Sequence, residues 1–305
     1  MTKRKPKVQK RHALNVAQKA CKEIKGFEAL YHSLERKMIL NGYSEHTFNN
    51  YARSIAFLTL RTGKLPQKIT DVEIEEYLMK LSKEKSPSES YFKHTVYGLR
   101  FLFRLLDQND RAVKLPRLRQ VKSLPVVLSK EECRRLFNGT KNLKHRIIMC
   151  LMYSAGLRMD ETRRLMWKDI DRSRMQIKVN QGKNRKDRYV VLSAYILKGL
   201  EKYYCLYHPD TYVFNGSEKG QPLHRRSIQR IIGESAKKAG IKKEVTCHTL
   251  RHSFATHLLE DGVDILTIKE QLGHSRIQTT MMYTHIARVE RTLAHSPLDT
   301  LYRKG

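Results

Sequence analysis

The run Thr246-Cys247-His248-Thr249-Leu250-Arg251-His252 sets an imidazole and a guanidinium three positions apart. If the run begins a helix, His248 and Arg251 project from one face while Leu250 turns toward the core, and a phosphate could sit between the two cations. Taken alone the pair is weak. Thirteen histidines among sixty lysines and arginines produce such spacings by chance, and most of them are solvated helix faces. Gly273-His274-Ser275 and Met282-Tyr283-Thr284-His285 also carry acid, base or nucleophilic groups, yet each could be ordinary helix-end and core sequence. Gly156-Leu157-Arg158-Met159-Asp160-Glu161 reads as a helix C-terminus turning into another helix, with Arg158 paired to Glu161. Lys183 falls at the tip of a hairpin pattern, where a lysine usually serves solubility.

The elements that must position these groups are mostly helical. Residues 27–107 keep apolar side chains at spacings of three and four: Ser44 opens a helix with Phe48, Tyr51, Ile55 and Leu58, and Thr70-Asp71-Val72-Glu73 is a capping box. A last helix over about 90–106 packs Tyr91, Val96, Leu99, Phe101, Leu102 and Leu105, so a compact four-helix domain is expected. Pro116 and Pro125 interrupt residues 108–127, which carry Arg111, Lys114, Arg117, Arg119 and Lys122 and read as an extended basic linker able to contact DNA. A second capping box, Ser129-Lys130-Glu131-Glu132, starts the domain expected over 128–305. Within it, Met175–Val179 and Asp187–Val191 alternate in polarity around a polar turn containing Gly182, the pattern of a β-hairpin. The fold class expected is therefore mainly α with a small β-hairpin or sheet.

Charge narrows the partner. Sixty Lys and Arg against thirty Asp and Glu leave +30 at neutral pH, a field that attracts a polyanion and makes nucleic acid the leading candidate. Residues 1–26 hold nine of the basic residues with Glu23 as sole acid, and read as a flexible basic arm. No secretory pattern and no long apolar span are present, so a cytoplasmic protein with no membrane partner is expected. Cys21, Cys133, Cys150, Cys205 and Cys247 are scattered, without the paired spacing of a zinc module, and are expected to be reduced thiols.

Placed in order, the separate motifs form one pattern. The segments Ala155–Glu161, Gly182–Arg188, His248-Thr249-Leu250-Arg251-His252-Ser253-Phe254-Ala255-Thr256-His257, Leu272-Gly273-His274-Ser275 and Thr279–His285 resemble the tyrosine recombinase, or phage-type integrase, family, closest to its Xer and integron-type members. The intervals fit as well, with three residues from His248 to Arg251, twenty-three on to His274 and nine more to Tyr283. Asn184 stands where the family usually has glycine after the hairpin lysine, which leaves Lys186 open beside the favoured Lys183.

The resemblance implies an N-terminal core-binding domain and a C-terminal catalytic domain, closing on DNA as a C-shaped clamp. It implies Tyr283 as nucleophile, forming a covalent phosphotyrosine link that conserves the bond energy. Arg158 and Arg251 would neutralise the transition-state oxygens with planar, permanently charged forks. His248 would assist removal of the Tyr283 proton, His274 would donate to the phosphate, Lys183 would protonate the departing 5′ oxygen, and Glu161 would orient neighbouring groups. No cofactor or metal is implied, because the arginines supply the charge that divalent ions provide in other nucleotidyl transferases. A homo-tetramer on paired half-sites, exchanging strands through a Holliday junction, is implied too, with a docking segment from about residue 286. A type IB topoisomerase or telomere resolvase is the enzymatic alternative, and a basic architectural protein without chemistry is the other.

Overall fold

The computed structural model describes residues 15–83, 89–118, 124–180, 187–218 and 220–287. Contacts divide the chain between residues 121 and 122 into two units. The expected hairpin tip with Lys183 and Lys186, the linker residues Arg119 and Lys122, and the docking segment beyond residue 287 lie outside the described residues.

The first unit contains helices α1 (Val16–Glu23), α2 (Phe27–Leu40), α3 (Glu45–Thr62), α4 (Asp71–Lys83), α5 (Glu89–Leu105) and α6 (Asn109–Lys114). Ser44 caps α3 through the Thr47 amide, and Thr70 and Glu73 bond reciprocally ahead of α4, so both start signals work as the sequence indicates. Phe27, Leu34, Met38, Leu58, Leu99 and Leu102 form its buried centre.

Two expectations are corrected in this unit. Residues 1–14 of the segment read as a flexible arm lie outside the described residues, but its remainder carries α1, because Asn15 and Gln18 form a capping box and Ala20 is fully buried in a cluster that Val16, Ala17, Cys21 and Ile24 also pack against. An apolar spacing of three and four outweighs the surrounding charge there. The segment read as an extended linker begins with α6, held by the burial of Ala112 and Leu115. Arg111 stacks on the Phe103 ring at 4.4 Å and bonds Asp71 Oδ1 at 2.6 Å, which ties its guanidinium into the unit rather than offering it to a phosphate. Lys114 reaches the same carboxylate at 3.1 Å, while Arg117 is exposed.

The second unit comprises α7 (Lys130–Asn138), α8 (Leu143–Ser154), α9 (Met159–Arg163), β1 (Ile170–Asp171), β2 (Gln176–Val179), β3 (Arg188–Val191), α10 (Ala194–Tyr207), α11 (Arg225–Lys238), α12 (Cys247–Glu260), α13 (Ile265–Leu272), the short α14 (Gln278–Met281) and a 3-10 turn, Met282–His285. The sheet is antiparallel in the order β1-β2-β3, adding a two-residue strand to the expected hairpin. Register pairs Ile177 with Val190 and Val179 with Arg188, which turns Ile177, Val179 and Val190 into the core. The apolar α8, buried at Ile147, Ile148, Met149, Leu151 and Met152, is the central rod on which α10 and α12 pack. No helix among the described residues is long and apolar enough to cross a membrane.

Candidate active site

Helix α12 starts where Thr246 and Thr249 cap each other, and its first two turns present His248, Arg251 and His252. Leu250 is buried as expected, but Arg251 is buried too, at 3% exposure, so the helix carries a guanidinium into the protein interior. Its fork is held by carbonyls from two other segments. Arg251 Nη1 donates to Gly156 O and Nη2 to Leu272 O, the latter at 2.6 Å. Burial, then the Arg158 charge, lowers its pKa to about 9, so Arg251 stays cationic at neutral pH.

Gly156 allows that arrangement. Its φ of +59° belongs to the left-handed region, and a β-carbon there would lie 2.5 Å from the Phe254 ring. The chain turns at Gly156 into α9, with Arg158 at the helix start. Arg158 donates from its amide to Glu161 Oε2 and from Nη1 to Oε1, both at 2.8 Å, and from Nη2 to Gly273 O at 3.3 Å. The pairing of Arg158 with Glu161 read from the sequence is present.

Glu161 serves a second arginine that sequence reasoning left without a role. Arg188, at the start of β3, donates to both Glu161 oxygens at 2.8 Å and from Nε to Gln271 O at 3.0 Å. Burial alone would raise the Glu161 pKa, but the hydrogen bonds and charge of Arg188, with those of Arg158, hold the carboxyl at about 2. Glu161 is therefore an ionised bridge between the two guanidinium groups. The residue after the expected turn was the available signal: a charged residue on the inward register of a strand needs a buried partner.

His274 follows Gly273, whose left-handed φ of +61° ends α13. Its Nε2 lies 3.1 Å from Arg251 Nη2 and its Nδ1 lies 3.0 Å from Thr280 Oγ1. Burial and then the surrounding arginines push its pKa down to about 3, so the ring is neutral. With Arg251 donating to Nε2, the proton sits on Nδ1 and bonds Thr280; donation from Nε2 to a phosphate needs the opposite tautomer or a second proton.

Tyr283 is packed among Phe254, Ala255, Ile268 and Leu272 and is only 1% exposed. Burial raises its pKa, while the Arg251 and Arg158 charges work against the rise. Its hydroxyl lies 3.0 Å from His252 Nδ1. Among the described residues no hydrogen bond joins it to His248, the residue expected beside it; His248 is exposed at the start of α12, its ring 6.2 Å from that of His252. Spacing could have shown His252, which stands one helical turn beyond His248.

Arg158, His248, Arg251, His252, His274 and Tyr283 line one cavity of about 240 Å³. The structure thus brings together five of the six expected catalytic residues, with Glu161 immediately behind Arg158, and the sixth, Lys183, lies outside the described residues. Among the described residues no cluster of three or more His, Cys, Asp or Glu side chains could hold a metal ion.

The pattern recurs in known proteins. Residues 126–290 match the phage integrase family, and residues 30–111 match the phage integrase N-terminal SAM-like domain. Tyrosine recombinase XerA of Thermococcus onnurineus is 35% identical over 257 residues, covering 83% of this chain and 89% of that protein. A putative integrase/recombinase of Sinorhizobium fredii is 34% identical over 272 residues, 88% of each chain. Among solved structures, XerA recombinase is similar at 27% identity and a TM-score of 0.50, over 91% of this chain and 99% of that one. XerH site-specific recombinase bound to palindromic difH substrate shares the fold, with a TM-score of 0.68 at 20% identity over 90% of each chain. With both units matched and the arginines, histidines and tyrosine gathered at one cavity, the chain belongs to the phage integrase family and is a tyrosine recombinase.

Proposed function

We propose that the chain is a site-specific DNA recombinase that cuts and rejoins DNA through a covalent 3′-phosphotyrosine link. The observation that carries this is the convergence of Arg158, Arg251, His274 and Tyr283 on one cavity. Tyr283 Oη attacks phosphorus and the 5′ oxygen departs. Arg158 and Arg251 are charged and fixed by backbone carbonyls before substrate arrives, so they meet the developing charge without reorganising. His248 supplies a hydrogen bond at the phosphate, His274 does so from Nε2 once that nitrogen carries a proton, and Lys183 protonates the leaving oxygen. Glu161 keeps Arg158 in place.

The +30 charge fits binding along the phosphate backbone of duplex DNA. XerH and λ integrase neighbours were solved on their DNA substrates or sites, which supports the same partner here. Four protomers on paired half-sites would exchange strands through a Holliday junction.

The test is adduct formation on a nicked duplex carrying the target site, identified by sequencing the DNA that flanks the gene. In EDTA, the wild-type chain should leave a covalent protein–DNA band on a denaturing gel. Tyr283→Phe should bind the duplex equally and leave none. An undiminished adduct with Tyr283→Phe, or strict dependence on magnesium, would refute the mechanism.

A further inference from the structure

We propose that His252 is a catalytic residue, which holds the Tyr283 hydroxyl and takes its proton as the oxygen attacks phosphorus. This rests on Tyr283 being the nucleophile. The phenol is 1% exposed, so bulk water is a poor acceptor for its proton. The groups around it are few. Arg158 and Arg251 are cations with no lone pair to offer, and both nitrogens of His274 are engaged, by Arg251 and by Thr280. His252 Nδ1 stands 3.0 Å from the hydroxyl, within the range for direct proton transfer, with ring centroids 5.7 Å apart.

Independent elements hold the pair in register. His252 is fixed by α12, and Tyr283 by the 3-10 turn that packs against that helix. Burial and the neighbouring His248 and Arg251 keep His252 unprotonated at neutral pH. In its Nε2–H tautomer the Nδ1 lone pair faces the phenol. As the Oη–P bond forms, the O–H bond breaks and its proton moves to Nδ1. The P–O5′ bond breaks and the departing oxygen takes a proton from Lys183. In rejoining, the 5′ hydroxyl gives its proton back to Lys183 as it attacks phosphorus, and the tyrosine oxygen leaves with the proton returned by His252. The imidazolium present between these steps is balanced by the negative charge arriving with the phosphate.

The test combines two changes on the nicked duplex. His252→Asn keeps an acceptor oxygen but cannot hold the proton, and His252→Gln is the second variant should the first fold poorly. Adduct formation should slow about 100-fold with DNA binding unchanged. Replacing Tyr283 by a fluorinated tyrosine, a stronger acid that depends less on a base, should recover at least about tenfold of the loss in His252→Asn. The same replacement should recover nothing in His248→Asn. Cleavage by His252→Asn at or above the wild-type rate, or a loss that fluorination leaves untouched, overturns the role of His252 alone. Absence of an adduct from the wild-type chain overturns the nucleophile assignment, and the role of His252 with it.

Discussion

Replacing Glu161 by Gln tests whether the bridge between Arg158 and Arg188 holds the catalytic unit together. The Glu161 side chain is 8% exposed and accepts bonds from the Arg158 amide, the Arg158 guanidinium and both Arg188 Nη atoms. Its pKa is held down from 4.5 to about 2, which by linkage corresponds to a stabilisation of about 3 kcal/mol. Glu161→Gln leaves two guanidinium groups against a neutral amide, a break of similar size to other severed buried pairs, about 3–5 kcal/mol. The only tryptophan, Trp167, packs on the core of the second unit, so its fluorescence in urea follows that unit alone. At pH 7 the transition of Glu161→Gln should fall by about 1–2.5 M, taking a slope near 2–3 kcal/mol/M. Because the folded carboxyl titrates below the unfolded one, the wild-type advantage is complete above pH 4.5 and disappears as pH falls through about 2. A midpoint shift below about 0.3 M at pH 7, or an advantage that grows on acidification, would refute the reasoning.

Other outcomes are as specific. Arg251→Lys should lower the rate of adduct formation about 100- to 1,000-fold with binding retained, since one ammonium cannot replace a fork that reaches Gly156 O, Leu272 O and a phosphate together; a loss below tenfold in single-turnover cleavage would contradict this. Gly273→Ala should destabilise the second unit by about 1–2 kcal/mol in the Trp167 assay, because φ is +61° and the added carbon would lie 2.8 Å from Arg188 Cδ; wild-type stability would show the contact to be soft. Lys183→Ala should cleave ordinary DNA slowly and recover on DNA with a 5′-bridging sulfur, which departs without a proton. Recovery by Lys186→Ala instead would assign the acid to Lys186.

How much the residue order revealed depends on how local each interaction is. Capping at Ser44, Thr70, Ser129 and Thr246 involves neighbours three positions apart, and the start signals read at the first three appear as helix starts. The pairing of Arg158 with Glu161 is local in the same sense and was equally legible. Charge misled where it was weighed above apolar spacing: α1 and α6 fold because Ala20, Ala112 and Leu115 find a core, although basic side chains surround them.

The sequence by itself determined the helix-rich class, the basic charge and, through five ordered motifs, the set of groups from Arg158 to Tyr283. Their chemistry toward one another was decided only by tertiary contacts. Arg251 meets Gly156, ninety-five positions earlier; Arg188 meets Glu161 across twenty-seven; and Tyr283 meets His252 rather than His248 across thirty-one. A hydrogen bond depends on distance and angle to within tenths of an ångström, and such precision follows from the packing of α8, α12 and α13, not from spacing along the chain. Burial and the arginines do the rest: removing water keeps His252 and His274 neutral, while the hydrogen bonds and charges of Arg188 and Arg158 keep Glu161 ionised against the same burial.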